Sequence, residues 1–291
     1  KEIHVLSPGT YYVVVEGYCD NGQIVTKISG FYDEFNYSNP PDVYSTDSSP
    51  VEVTPGNLMV SATGAATVGI PVETPVGVGG MQPSLSIIYN SQSKNGVAGW
   101  GANLSGVFAI TRTPKSIYYD TQAGKVNYSR NDAYLLNGQR LLYTSGKTGI
   151  EGAVYYPESD PFTKVVIHGT YSGTTCNTWF EVTTKNGTKY QYGKTANSRQ
   201  TLPGGRVNSW YLTHVEDPLG NYMDYAYTTS SYFVYLSSIS YGKNKNQSGS
   251  LANKVELSYE YRPDPVTFVL NATKGGMYRR LSEIKTKTGT S

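Results

Sequence analysis

The chain has 291 residues, of which 38% are hydrophobic and 13% aromatic, with 27 Tyr, 7 Phe and 3 Trp. Charged residues make up 16%, and 24 Lys and Arg against 22 Asp and Glu leave a net charge of +2 with no dense basic run. That balance excludes a disordered chain and gives no electrostatic footprint for nucleic acid or an anionic membrane, and no stretch approaches the ~18 apolar residues of a membrane helix.

Helical periodicity is nearly absent. Alternation of Tyr, Val, Thr and Ile recurs from end to end, so we expect an all-β fold, mostly antiparallel, a meander or curved sheet of short hairpins with little or no helix. Residues 1–30 read as a terminal hairpin turning at Asn21-Gly22, too short to make a core of its own. Residues 31–56, with Asp33, Glu34, Pro40, Pro41, Asp42 and Pro55, read as a linker. Residues 57–291 form the main β region. The chain begins at Lys1 without an initiator Met or signal segment, which suggests a piece of a longer polypeptide.

In the main region, Gly77, Gly79 and Gly80 among Pro71, Pro75 and Pro83 mark a sharp turn. A phosphate cradle there would need a Gly-Lys-Ser/Thr ending and a following helix, and has neither. Trp100, between Gly99 and Gly101, reads as a core anchor. Asn137-Gly138 and Asn186-Gly187 predict two-residue hairpins, the second joining Trp179–Lys185 to Thr188–Tyr192 with Phe180 and Val182 on opposite faces. Met223, Tyr225 and Tyr227 are expected on one face, as are Tyr235, Ile239 and Tyr241. Val255, Leu257, Tyr259 and Tyr261 oppose Glu256, Ser258 and Glu260. Tyrosines two apart, such as Tyr190 with Tyr192 and Tyr225 with Tyr227, read as cross-strand ladders, with a glycan-stacking surface as the alternative.

No catalytic signature organises the polar residues. His4, His168 and His214 sit in strand-like runs without metal-ligand spacing. No Gly-x-Ser-x-Gly elbow occurs. Cys19 and Cys176 form no metal pattern and read as two thiols or one disulfide. Asp217, Asp224 and Asp264 fall at turns and strand edges, where Asp bonds local backbone, and Asp120, Asp132 and Asp160 lack a calcium-loop spacing. We assign no catalytic, cofactor-binding or metal residue and expect no enzyme activity.

One constellation is specific. Gly64-Ala65-Ala66 leads to Ile70-Pro71, then Gly79-Gly80, Pro83-Ser84-Leu85-Ser86-Ile87-Ile88-Tyr89-Asn90-Ser91, Gly99-Trp100, Leu104-Ser105 and Ile110-Thr111-Arg112. This order resembles the opening of the SpvB-type amino-terminal domain. Asp132 to Leu141, Trp179 to Gly187 and Asp217-Pro218-Leu219-Gly220-Asn221-Tyr222 resemble segments of RHS (YD-repeat) proteins of Bacteroidetes-like bacteria and of the B component of Tc toxins. The last segment, with Tyr225-Ala226-Tyr227, looks like one degenerate YD repeat, departing at Thr228 where Asp is usual. Arg279-Arg280-Leu281-Ser282-Glu283-Ile284 is similar to a family strand. Separately, Leu6 to Tyr18 resembles the last hairpin of a pre-peptidase C-terminal type β-sandwich. The resemblance implies a non-catalytic module of a secreted or cell-surface bacterial toxin-related protein, in which downstream repeat strands and a carboxy-terminal toxin cargo of the same polypeptide are the partners. An adhesin binding a cell-surface glycan is the alternative.

Overall fold

The computed structural model describes residues 57–61, 63–172, 175–249 and 251–289, together with the backbone of strands Val5–Ser7, Gly9–Tyr11, Val14–Asp20 and Gln23–Ser29. The linker at 31–56, the Asn21-Gly22 turn, His4, the Cys19 side chain and the side chains behind the sandwich resemblance lie outside the described residues. The fold is all-β and its strand pairs are antiparallel, as the alternation requires.

Three sheet regions stack along the chain. A small six-stranded sheet runs in the order Asn57–Val60, Ala66–Val72, Leu85–Asn90, Ala102–Ser105, Gly99–Trp100, Asn95–Gly96. Next comes an eight-stranded barrel of Ala109–Thr113, Ala133–Leu136, Gln139–Ser145, Val154–Pro157, Lys164–His168, Trp179–Thr183, Lys189–Tyr192 and Arg206–Glu216. Neighbours in the barrel are neighbours in sequence, the meander expected from short hairpins. The register Ile110↔Trp210 closes it. The third region is a ribbon of long strands, Asn221–Ser230, Phe233–Asn244, Asn253–Leu270 and Thr273–Thr288, to which Gln23–Ser29 and Val14–Asp20 add at Glu283↔Lys27.

Arg206–Glu216 belongs to both large regions. Its first half pairs with Ala109–Thr113 to close the barrel, and its second half pairs His214 with Asp224 to start the ribbon. An eight-stranded barrel leaves an interior that side chains fill. Here Ile110, Val165, Phe180 and Trp210 are fully buried. Tyr134, Phe180 and Trp210 meet edge to face, with centroids 5.0 to 5.8 Å apart, the arrangement favoured by the ring quadrupole.

Asn137-Gly138 forms the expected two-residue turn, with φ of 50° and 87° and Leu136 paired to Gln139. Asn186-Gly187 does not. Thr183 pairs with Lys189, Gly187 N–H donates to Thr184 O, and Asn186 Oδ1 accepts from Thr188 N–H and Thr184 Oγ1. The side-chain bonds favour a longer loop with a left-handed Gly187. Phe180 and Val182, two residues apart, share the buried face, as the pleat dictates.

Two bulges redirect the tyrosines. Between Ala226 and Tyr227 the partner strand skips Ser237, so Tyr227 pairs with Leu236 and Tyr225 with Ile239. Tyr235 is thereby moved to the opposite face from Ile239 and Tyr241, where its ring meets Tyr259 at 5.0 Å. A second irregularity, between Tyr261 and Val266, passes over residues 262–265 in the register and ends the alternation of the strand Asn253–Leu270. Tyr261 is 77% exposed instead of buried, and Arg262 turns inward. Met223, Tyr225, Tyr227 and Tyr192 are buried as expected.

Trp100 is also displaced from its expected role, being 50% exposed. The close backbone passage occurs one residue later. Gly101 has φ of 67°, and a Cβ there would lie 2.7 Å from the Tyr89 ring, so the glycine fits the sheet onto Tyr89.

Candidate functional site

The polar residues singled out from sequence gather in four places. The first is inside the barrel. Arg112, the last residue of the Ile-x-Arg segment, is buried and donates through Nη1 to Asp132 Oδ2 at 2.9 Å and Ser129 O at 2.7 Å, and through Nε to Val207 O at 2.8 Å. Its guanidinium lies 5.3 to 5.8 Å from the ring centroids of Trp210, Tyr134 and Tyr128. Asp132 Oδ1 accepts from Asn127 N–H. A planar cation among aromatic faces, with a carboxylate and two carbonyls on its donors, is a satisfied buried pair. Sequence reading marked both residues but had no signal that they meet.

The second lies at the barrel mouth. Ser116 caps the one α-helix among the described residues, Ile117–Asp120, by accepting from Tyr119 N–H. This aims Asp120 at Arg140, whose Nη2 donates to both carboxylate oxygens at 2.7 and 2.6 Å. Tyr119 donates to Glu158 Oε2 over a cleft of about 460 Å³ that Ser116, Gln139 and Ser159 also line. That hydrogen bond to a carboxylate raises the Tyr119 hydroxyl above its ordinary pKa. Each charge here already has its counter-charge or donor.

The histidines occupy the third place, the outer surfaces. His168 Nδ1 lies 3.0 Å from Glu151 Oε1 and its ring stacks on Trp179 at 4.4 Å, with Lys194 Nζ 4.9 Å from the Trp179 centroid. His214 Nδ1 lies 2.7 Å from Asp224 Oδ1, and its Nε2 faces Glu216 Oε2 at 3.7 Å. Both histidines therefore have acidic partners. Of the two ring nitrogens of His214, Nδ1 is within hydrogen-bond distance of a carboxylate and Nε2 is not. Cys176 is a buried free thiol 3.0 Å from Thr178 Oγ1. Among the described residues no group of three or more His, Cys, Asp and Glu could hold a metal ion, and Asp160 bonds Thr163 Oγ1 and Phe162 N–H within its own turn.

The fourth place joins the small sheet to the ribbon, and here the two motif sets touch. Asp217 Oδ1 accepts from Leu219 and Asn221 N–H, and its Oδ2 from Asn221 Nδ2, which explains the Asp-x-x-Gly-Asn order as an Asx-type turn. Gly79 sits directly on Asn221, where a Cβ would approach Nδ2 to 2.5 Å. Tyr241 donates to Pro75 O at 2.8 Å. The Gly-Pro segment is therefore a lid fitted to the first ribbon hairpin. At the other side, Arg262 donates to Asn95 Oδ1 at 2.7 Å, Gly96 O at 3.0 Å and Asp264 Oδ1 at 3.1 Å. Partial burial raises the Asp264 carboxyl, but Arg262 and Asn95 outweigh it and hold the pKa below its ordinary value. Leu281 N–H donates to Val97 O.

One family model, SpvB, described as the Salmonella virulence plasmid 65kDa B protein, matches residues 60–254, which hold most of the small sheet, the barrel and the first ribbon hairpin. The chain belongs to the SpvB family. Solved structures share the fold of this SpvB-type chain at low identity. The crystal structure of TcdB2-TccC3 superposes with a TM-score of 0.63 at 15% identity, covering 81% of this chain and 14% of that one. The N-terminal domain of the effector SpvB from Salmonella typhimurium strain LT2 gives 0.60 at 16%, covering 74% and 86%. A Photorhabdus luminescens Tc holotoxin pore structure gives 0.62 at 16%, covering 79% and 13%. The SpvB-type chain thus spans about a seventh of the Tc chains it matches. No curated protein sequence matches it. Among the described residues no helix is long and apolar enough to cross a membrane.

Proposed function

We propose that this SpvB-type chain is a non-catalytic structural module of a larger secreted, toxin-type polypeptide, in which residues 57–291 start the wall of an RHS-type β-shell around a carboxy-terminal cargo. The observation that carries this reading is the shared strand Arg206–Glu216: it ends a closed barrel on one half and opens an extendable ribbon on the other. A barrel filled by Trp210, Phe180, Tyr134 and Ile110 is a rigid anchor, and a ribbon of long strands is what further repeat hairpins would prolong. The division into a terminal hairpin, a linker and a main β module belongs to the same reading, as do export to the cell exterior and association with the repeats and cargo of the same polypeptide. The carboxylate-paired charges at Arg112, Arg140 and Arg262 favour architecture over chemistry. Trp179 is half-buried and Trp210 fully buried, so of the three tryptophans Trp100 alone, 50% exposed, offers a face on which a glycan could stack.

Intact-mass measurement and peptide mapping of the polypeptide made by the source cells test this. A species several times longer, carrying YD repeats and a distinct carboxy-terminal domain, and giving hollow particles by electron microscopy, is the expected result. A parent ending near Ser291 overturns the shell reading.

A further inference from the structure

The ribbon does not end at its last long strand, Thr273–Thr288. The outer side of that strand is taken by parts of the chain far away in sequence. Leu281 N–H donates to Val97 O, and residues 283–286 pair with residues 27–24 of Gln23–Ser29. Val14–Asp20 then pairs with Gln23–Ser29 and has no strand on its own outer side among those described. The two attachments of this hairpin are unequal. Inside it the register runs the whole length of both strands, from Val14↔Ser29 to Asp20↔Gln23. Towards the ribbon it runs only from Glu283↔Lys27 to Thr286↔Ile24, 4 of the 16 residues of Thr273–Thr288. That short contact also closes a loop through nearly the whole chain, whereas the ribbon strands themselves are joined by short turns.

A long bare strand edge is a template for another chain. We infer that the hairpin Val14–Ser29 is a removable guard on the edge of Thr273–Thr288, docking and leaving as one unit, and that while it is away a second copy of this chain pairs there. A hairpin complete in itself and attached over four residues opens at a lower free energy than the sheet it caps. Its own outer strand is a poor template: Val14–Asp20 is 7 residues long, carries Gly17 in its interior, and has Glu16 and Asp20 to repel the same strand of another copy. The guarded edge is the better one. A second copy laid antiparallel about Ile284 sets Glu283 opposite Lys285 twice, once on each side of the two-fold axis. The inference stands on pairing within this chain and holds whether or not the ribbon is prolonged in a longer polypeptide; where it is prolonged at this edge, the guard has to leave first.

Hydrogen exchange of the 291-residue chain, and light scattering of the same chain carrying Val25→Pro and Thr26→Pro, test the inference. Neighbouring residues of an antiparallel strand donate to opposite sides, so the two prolines remove one donor towards Thr273–Thr288 and one towards Val14–Asp20. In the unsubstituted chain, amides of residues 24–27 should exchange at least about tenfold faster than those of residues 255–257 in the ribbon. The proline variant should keep the near-ultraviolet circular dichroism of the barrel aromatics, self-associate more strongly than the unsubstituted chain, and return to monomer when a synthetic peptide of residues 12–31 is added in excess. Exchange at residues 24–27 as slow as at residues 255–257 makes the hairpin a fixed strand and overturns the inference. A folded variant that associates no more than the unsubstituted chain shows that the edge needs no guard, and overturns it too. Association that the peptide leaves untouched arises at another surface, and loss of the barrel signal makes the hairpin part of the core; either result also overturns it.

Discussion

The barrel and the small sheet solve the same problem, unpaired strand edges, in different ways. Closing eight strands on themselves removes every edge and concentrates rings and a buried ion pair in the middle. The small sheet keeps two ends, one held by a buried arginine and one apolar, with no strand on its outer side among the described residues. A closed sheet stores its stability in its interior, where each contact depends on the others. An open one depends on what is laid along its rim, and so is free to serve as a joint.

The contrast can be broken at its strongest point. Asp132→Ala leaves the Arg112 charge buried without its carboxylate, and we expect a loss of about 3 to 5 kcal/mol in denaturant unfolding; an Arg112→Met, Asp132→Leu pair should recover most of it. If Asp132→Ala costs under about 1 kcal/mol, the interior pair is not what holds the barrel.

Alkaline pH tests the same interior. Burial pushes the Tyr155 hydroxyl up to about 12 and raises Tyr134 and Tyr192 as well. A folded-state pKa raised above the unfolded value of about 10 gives stability that is complete below pH 10 and lost as pH climbs towards 12. Tyr155 alone accounts for roughly 2 to 3 kcal/mol of it. Absorbance at 295 nm should show exposed tyrosines titrating first and the rest only with unfolding. Simple titration of all tyrosines near pH 10 with the fold intact would contradict this.

The small sheet should fail locally. Gly101→Val forces a side chain onto Tyr89 at a positive φ, at a cost of about 1 to 3 kcal/mol. Limited proteolysis should then cut within residues 57–106 while near-ultraviolet circular dichroism from the barrel aromatics persists. Joint loss of both signals would mean that the two regions fold as one unit. The smallest effect belongs to the surface: Lys245→Ala removes the 2.6 Å contact to Glu216 and should change stability by no more than about 0.5 kcal/mol, read from the same denaturation curves.

The legible part of this fold was what local rules govern. Alternation gave the strands, Asn137-Gly138 gave its turn, and the buried row Met223, Tyr225 and Tyr227 followed from spacing. What escaped was set by single-residue irregularities and distant partners. Skipping Ser237 in pairing moves Tyr235 to the other face, and the irregularity at 262–265 ends the alternation at Tyr261; no periodicity announces a bulge. Trp100 was misplaced because glycines on either side mark close passage without saying over what. The Arg112–Asp132 pair meets across two consecutive strands and the Arg262–Asn95 pair across 167 positions, and in both the residue types were plain but not their partners.

That last pair has a consequence for how the molecule comes into being. Arg262 reaches back 167 positions to Asn95, and the barrel seam joins Ile110 to Trp210. During synthesis the small sheet emerges before the barrel, and the arginine that holds one of its ends is made only after the barrel is complete. Nearly all other neighbours in the barrel and ribbon are successive hairpins that form as they appear. The small sheet is thus made early and fixed late, and a nascent chain halted before residue 262 should present residues 57–106 to chaperones and proteases.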